Sequence, residues 1–180
     1  MITKEYADFS WQQAEQLLSI DSPTGYTDYA ALWLKSSFEM LGFPASITTK
    51  GGILVDLGGE DADNGLMLAA HADTLGAMVA EVKGNGRLRL TPLGGMNPNN
   101  AEAENVRIYT RGGKVLEGTF QLCNASIHVN GDYNSAKRSY DTMEVVLDED
   151  VKSAADTRNL GIEVGDIVCF DPRTRRTASG

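Results

Sequence analysis

The sequence predicts an α/β chain in two parts: a helix-and-strand lobe, then a β-rich stretch built as a small barrel or sandwich. Three observations carry this. Helical periodicity dominates about the first 40 residues. The period then switches to short extended runs bounded by glycine turns. Beyond Asp73 nearly every segment is short and β-like, at a spacing that suits a small all-β unit.

Residues 8–20 read as a first helix. Phe9, Ala14, Leu17 and Leu18 fall near helical spacing, and Ser10 serves as the N-cap. The run Asp21-Ser22-Pro23-Thr24-Gly25 breaks it, and its turn chemistry reads as a loop between helices rather than a direct contributor to chemistry. Residues 27–41 form the strongest helix pattern, with Thr27 as cap and Asp28 in the first turn. Tyr29, Leu32, Trp33 and Met40 make one stripe and Leu34, Phe38 and Leu41 another, so the helix is expected to be buried on much of its circumference. Gly42 is placed as the C′ residue, and Pro44 prevents continuation. Strands are expected over 45–49 and 53–57, joined by Lys50-Gly51-Gly52.

The acidic run 58–65 contains Glu60, Asp61 and Asp63, but its spacing does not fit a calcium loop, so it reads as a solvated turn. The apolar run Leu66-Met67-Leu68-Ala69-Ala70 follows, ending in His71-Ala72-Asp73, and is expected as a buried strand. Later strands are expected over 75–83, 87–91, 106–110, 115–121, 127–129, 143–147 and 167–170. Residues 133–140 read as a mobile polar loop, and 149–159 as a helix capped by Asp148 and stopped by Gly161. The end of the chain, 173–180, is polar and basic.

Composition narrows the function classes. A net charge of -9 over 180 residues disfavours nucleic acid and anionic membrane surfaces as partners. No window approaches the roughly 20 apolar residues of a membrane helix, and the N-terminus lacks a signal-peptide core. Cys123 and Cys169 read as two buried thiols in a reducing compartment, which points to the cytoplasm. Neither cysteine lies near a histidine in sequence, no Gly-x-Ser-x-Gly elbow occurs, and the glycine turns 83–86 and 111–114 lack phosphate-loop spacing.

The one constellation that suggests chemistry is His71-x-Asp73. In an extended segment the two side chains share a face, and open α/β sheets place ligands beyond the carboxyl ends of their strands. A carboxylate beside an imidazole can fix its tautomer and raise its basicity, as in metal sites.

Taken in order, four pieces resemble the tetrahedral-type dinuclear metallo-aminopeptidases, some of them described as glutamyl aminopeptidases or endoglucanases. They are Ser22-Pro23-Thr24-Gly25, the stretch from Met67 through His71-Ala72-Asp73-Thr74 to Val79, Gly94-Gly95, and Gly161 through Asp166 with Val168 and Phe170. The resemblance implies a partial catalytic α/β lobe over residues 1–74, an inserted β-rich, barrel-like dimerisation domain over 75–166, and a return strand to the catalytic lobe over 167–180. It implies that His71 binds one of two divalent metals, zinc or cobalt, and that Asp73 supports that ligand in the catalytic site. It further implies a peptide substrate and a homo-oligomer.

The remaining ligands and the general base of the family lie downstream of the insertion, so the chain is expected to be the N-terminal portion of such an enzyme and inactive by itself. His128 sits where the family often carries a Pro-x-His, within the insertion, and is expected to be structural or interfacial. The Lys50-Gly51-Gly52 turn departs from the family's usual Gly-Asn. A second expectation of a different class remains beside the first: a non-catalytic assembly module that dimerises through its β-rich part.

Overall fold

Alternation of apolar and polar side chains closes the second part of the chain into a barrel. In the computed structural model, which describes residues 3–177 apart from residue 62, six antiparallel strands follow one another around it in the order β3-β4-β7-β6-β5-β8. They are β3 (Gly76–Val82), β4 (Leu88–Leu93), β5 (Glu104–Tyr109), β6 (Val115–Leu122), β7 (Met143–Leu147) and β8 (Ile167–Phe170). Closure leaves no strand edge to manage. The interior holds Val79, Leu90, Ile108, Phe120, Val145 and Val168, all essentially inaccessible. The register of β3 against β4 shifts between Val79 and Glu81. That bulge returns Val82 to the inside after an odd step from Val79.

β8 is a barrel stave, paired with β3 and β5. The expectation of a return strand to the first lobe from residue 167 is therefore corrected: each edge of β8 finds its partner in the barrel. Residues 127–129 are likewise not a strand. Their backbone bonds are local, from Val129 N–H and Asn130 N–H to the Ser126 carbonyl. The stretch 133–140, expected as a mobile polar loop, is pinned instead. Tyr133, Ala136 and Tyr140 pack on the core, and Arg138 donates to both oxygens of Glu102 at 2.9 and 3.1 Å and lies 4.8 Å over the Tyr133 ring.

The helix expected from residue 149 begins later, as α3 (Ala154–Leu160), because Ser153 rather than Asp148 is its cap. Ser153 Oγ accepts from Asp156 N–H, while the Asp156 carboxylate accepts from Ser153 Oγ and Lys152 N–H. Gly161 ends it at φ 103. Buried Thr157 donates to the Gly86 carbonyl at 2.6 Å, which fastens α3 to the β3–β4 turn.

One charge is buried against this unit. Glu144, 1% exposed, accepts from Lys83 Nζ and Arg87 Nη1, each at 2.5 Å. Burial alone would raise its pKa; the bonds from Lys83 and Arg87 outweigh burial and hold it below the usual range.

The first part of the chain forms a unit of its own, Met1–Thr74 with Pro172–Gly180, apart from the unit Leu75–Asp171. Its first helix, α1 (Lys4–Leu18), starts four residues ahead of expectation. Thr3 is the N-cap, accepting from Tyr6 N–H, and Ser10 lies inside the helix. Arg176 returns to α1, pairing with Asp8 and lying 6.0 Å from the Trp11 ring. The second helix, α2 (Asp28–Met40), ends in a Schellman arrangement in which Phe43 N–H reaches the Phe38 carbonyl and Gly42 takes φ 89. Its stripes are not buried as expected: only Ala30 and Ala31 are, while Tyr29, Leu32 and Met40 are exposed. Two helices and one hairpin, β1 (Ala45–Ile47) with β2 (Ile53–Val55), offer too little surface to cover α2 on two sides.

Two outcomes test this packing. A Cβ at Gly118 would sit 2.5 Å from the Val146 carbonyl oxygen and 2.9 Å from Val145 Cγ1. Gly118→Ala is therefore expected to destabilise the barrel by about 1–3 kcal/mol in urea denaturation. Glu144 should also make stability acid-sensitive. Because its folded pKa is depressed, its contribution is fully present above the ordinary glutamate value of about 4.3 and is lost as pH falls through the lower folded value. In thermal unfolding across that window, Glu144→Gln should lose this part of the acid dependence.

Candidate functional site

The run Leu66-Met67-Leu68, expected to open a buried strand, pairs with no described strand. These residues are 87%, 81% and 77% exposed and belong to no strand. A buried strand needs partners on its edges and cover on its faces, and no described strand pairs with this run. Its carboxyl end is held by the turn after α1.

That turn is the Ser22-Pro23-Thr24 run. Ser22, 1% exposed, donates from Oγ to the Ala72 carbonyl at 2.9 Å. Thr74 N–H donates to the Ser22 carbonyl at 2.7 Å, and Pro23 and Thr74 form a parallel bridge. Thr24 Oγ1 donates to Asp73 Oδ2 at 2.6 Å. Residues some 50 positions apart are thus brought side by side. The sequence marked this turn but gave no sign of its partner.

His71 and Asp73 do lie together. His71 Nδ1 is 2.9 Å from the Asp73 carbonyl oxygen and 3.3 Å from Asp73 Oδ1. Both neighbours are acceptors, so the proton of the neutral ring belongs on Nδ1 and the lone pair on Nε2. The ring is 85% exposed, which leaves Nε2 open to a ligand. The Thr24 hydroxyl above all, opposed by desolvation and helped by the residue's own backbone N–H and by His71, keeps the Asp73 carboxyl below its usual pKa.

As a metal site the set is one corner. No group of three His, Cys, Asp or Glu side chains able to hold a metal occurs among the described residues, whereas a catalytic zinc commonly takes three protein ligands. His71 offers one free nitrogen, and both Asp73 oxygens already have neighbours. The present residues therefore fit part of a metal site and not a complete one. His128 lies in the exposed turn of the barrel unit near residues 126–130. Among the described residues no helix is long and apolar enough to cross a membrane.

Residues 51–180 match the M42 glutamyl aminopeptidase family, and the chain belongs to that family. The Bacillus subtilis protein YhfE, named as an aminopeptidase, is 42% identical over 166 residues, covering 92% of this chain and 48% of that protein. The aminopeptidase APDkam598 from the archaeon Desulfurococcus kamchatkensis superposes with a TM-score of 0.79 at 22% identity, over 94% of this chain and 45% of its own. The Pyrococcus horikoshii TET1 peptidase, which can assemble into a tetrahedron or a large octahedral shell, gives 0.71 at 19% identity, over 88% and 46%. These two likenesses concern the fold. The chain spans about half the length of the proteins it matches.

The Ser22 bond is the anchor most open to direct measurement. Ser22→Ala removes the buried hydroxyl and leaves the Ala72 carbonyl without it. The expected loss is about 0.5–1.5 kcal/mol, read as earlier amide exchange of Ala72–Thr74 together with a lower unfolding midpoint of this lobe.

Proposed function

We propose that these residues serve a metal-dependent aminopeptidase that releases N-terminal residues from peptides. The single observation that carries the reading is the ordered corner: Thr24 holds Asp73, and Asp73 holds the His71 ring with Nε2 free. Family membership supplies the activity class. His71 is the ligand to one of two divalent metals, zinc or cobalt, through Nε2. Asp73 acts in the catalytic site as the supporter of that ligand, with one oxygen accepting from Thr24 and the other facing His71 Nδ1. When bound, such metals polarise a scissile carbonyl and supply hydroxide at neutral pH.

This chain's own part is to hold one imidazole at a fixed tautomer. Among the described residues no three side chains come together that could hold a metal, too few donors for a tight site, and on this reading the 180-residue chain by itself is expected to be inactive. The barrel is the inserted dimerisation domain, and the whole protein is a homo-oligomer, as the assembly of the Pyrococcus horikoshii peptidase suggests. A reducing, cytoplasmic setting suits two cysteines outside any disulfide, of which Cys169 is buried as expected while Cys123 is exposed.

A second reading, a non-catalytic assembly module, draws on one observation: the barrel closes on itself around its own core. The two readings separate in one set of measurements on aminoacyl chromogenic substrates with added Co(II) or Zn(II). The chain alone is expected to show no turnover. Joined to the second half of its Bacillus subtilis relative, it should show turnover that a chelator abolishes and that His71→Ala lowers by about 10- to 100-fold or more. Metal-dependent turnover by the chain alone would sink the one-corner account. Dimerisation in sedimentation with no turnover in a folded fusion would favour the assembly module.

A further inference from the structure

The turn after α1 does more in the structure than join two helices. Its hydroxyls reach across to the His-x-Asp segment at two successive points, Ser22 to the Ala72 carbonyl and Thr24 to the Asp73 carboxylate. The two bonds differ in kind. Ser22 is buried and grips backbone, which fixes where the segment runs. Thr24 is exposed and grips a side chain, which fixes how the carboxylate is turned.

We propose that Thr24 is a positioning residue for the His71 imidazole, acting through Asp73. The Asp73 carboxylate stands between a hydroxyl on Oδ2 and the imidazole Nδ1 on Oδ1. Its side chain can rotate about its terminal bond, since that torsion is broad and two-fold. With Oδ2 held by Thr24, Oδ1 stays turned toward Nδ1. Without the hydroxyl the carboxylate is free to turn outward, and the ring keeps only the Asp73 backbone oxygen as an acceptor. The Nδ1–H form then loses its second acceptor, and the Nε2 lone pair becomes less available to a metal. Partners of this outer kind commonly change metal affinity by about 10- to 100-fold when they touch the ligand itself. Thr24 lies one residue further out, and its effect is expected at the lower end of that range.

The inference rests on the metal-ligand reading of His71, but its first readout needs no metal. The chain has two histidines, His71 and His128, so ¹⁵N-histidine labelling gives two resolved imidazoles, with His128 as an internal control. In the alkaline plateau of the spectra, wild-type His71 is expected to be mainly in the Nδ1–H form. Thr24→Val, which keeps the branched shape and removes the hydroxyl, should shift His71 toward the Nε2–H form and leave His128 unmoved. Thr24→Ser should restore the wild-type population, and Asp73→Ala should reproduce the valine variant. Thr24→Ala serves in place of valine if the latter does not fold.

A Co(II) titration of the same samples adds a second readout, in which the concentration that broadens the His71 ring signals should rise about tenfold in the valine variant. An unchanged His71 tautomer in a folded Thr24→Val or Thr24→Ala chain would overturn the proposal, as would a Thr24→Ser chain that behaves like valine. A tautomer shift without any Co(II) effect at His71 would retain the positioning role and remove the metal reading on which the aminopeptidase proposal stands.

Discussion

The candidate site hangs from one short seam, the contact between Ser22-Pro23-Thr24 and Ala72-Asp73-Thr74. It combines a parallel bridge, a backbone bond and two hydroxyl bonds over three residues on each side. The seam decides where His71 stands, because the five residues before it lie exposed and unpaired by any described strand. A few bonds of modest individual worth, about 1 kcal/mol each, therefore set the geometry of the imidazole. Ser22 keeps its bond away from competing water, while Thr24 and Asp73 work at the surface, where each bond competes with solvent.

The two units solve the problem of backbone satisfaction in opposite ways. The barrel pairs each of its strands on both sides and keeps its interior for side chains. It also carries a buried carboxylate, whose two oxygens Lys83 and Arg87 meet from one end of the β3–β4 hairpin. The N-terminal unit has two helices, one hairpin and a long apolar run with no strand partner among the described residues. Its exposed Leu66, Met67 and Leu68 form the kind of surface that ordinary monomers keep covered.

What was legible in the sequence follows the same division. Where local alternation and turn residues decide structure, the strands were readable to within a residue or two: Met143–Leu147 and Ile167–Phe170 carry their bounds in their own pattern. The barrel itself was legible as one of two all-β options, and the α/β class of the chain holds. Which sheet a strand joins was not legible, and β8 shows why: its four residues look the same in either unit, and only pairing with β3 and β5 settles it. The helix starts failed for a related reason, since Thr3 and Ser153 cap by hydrogen bonds that competing Ser and Asp residues could equally offer. At the site, His71 and Asp73 were legible because their partnership is local, two residues apart. The roles of Ser22 and Thr24 were not, because their acceptors lie some 50 residues on.

The pairing of β3 with β8 has a wider consequence. The barrel's first strand and its last lie edge to edge and antiparallel, with Gly76 opposite Cys169. The chain therefore enters and leaves this unit through one doorway. A unit with adjacent ends can be lifted out and its gap bridged by a short linker, or exchanged for another of like spacing, with little disturbance of the host. The barrel is in that sense a cartridge: its loops, and whatever they meet, can diverge freely while the segment that carries His71 keeps its own anchorage.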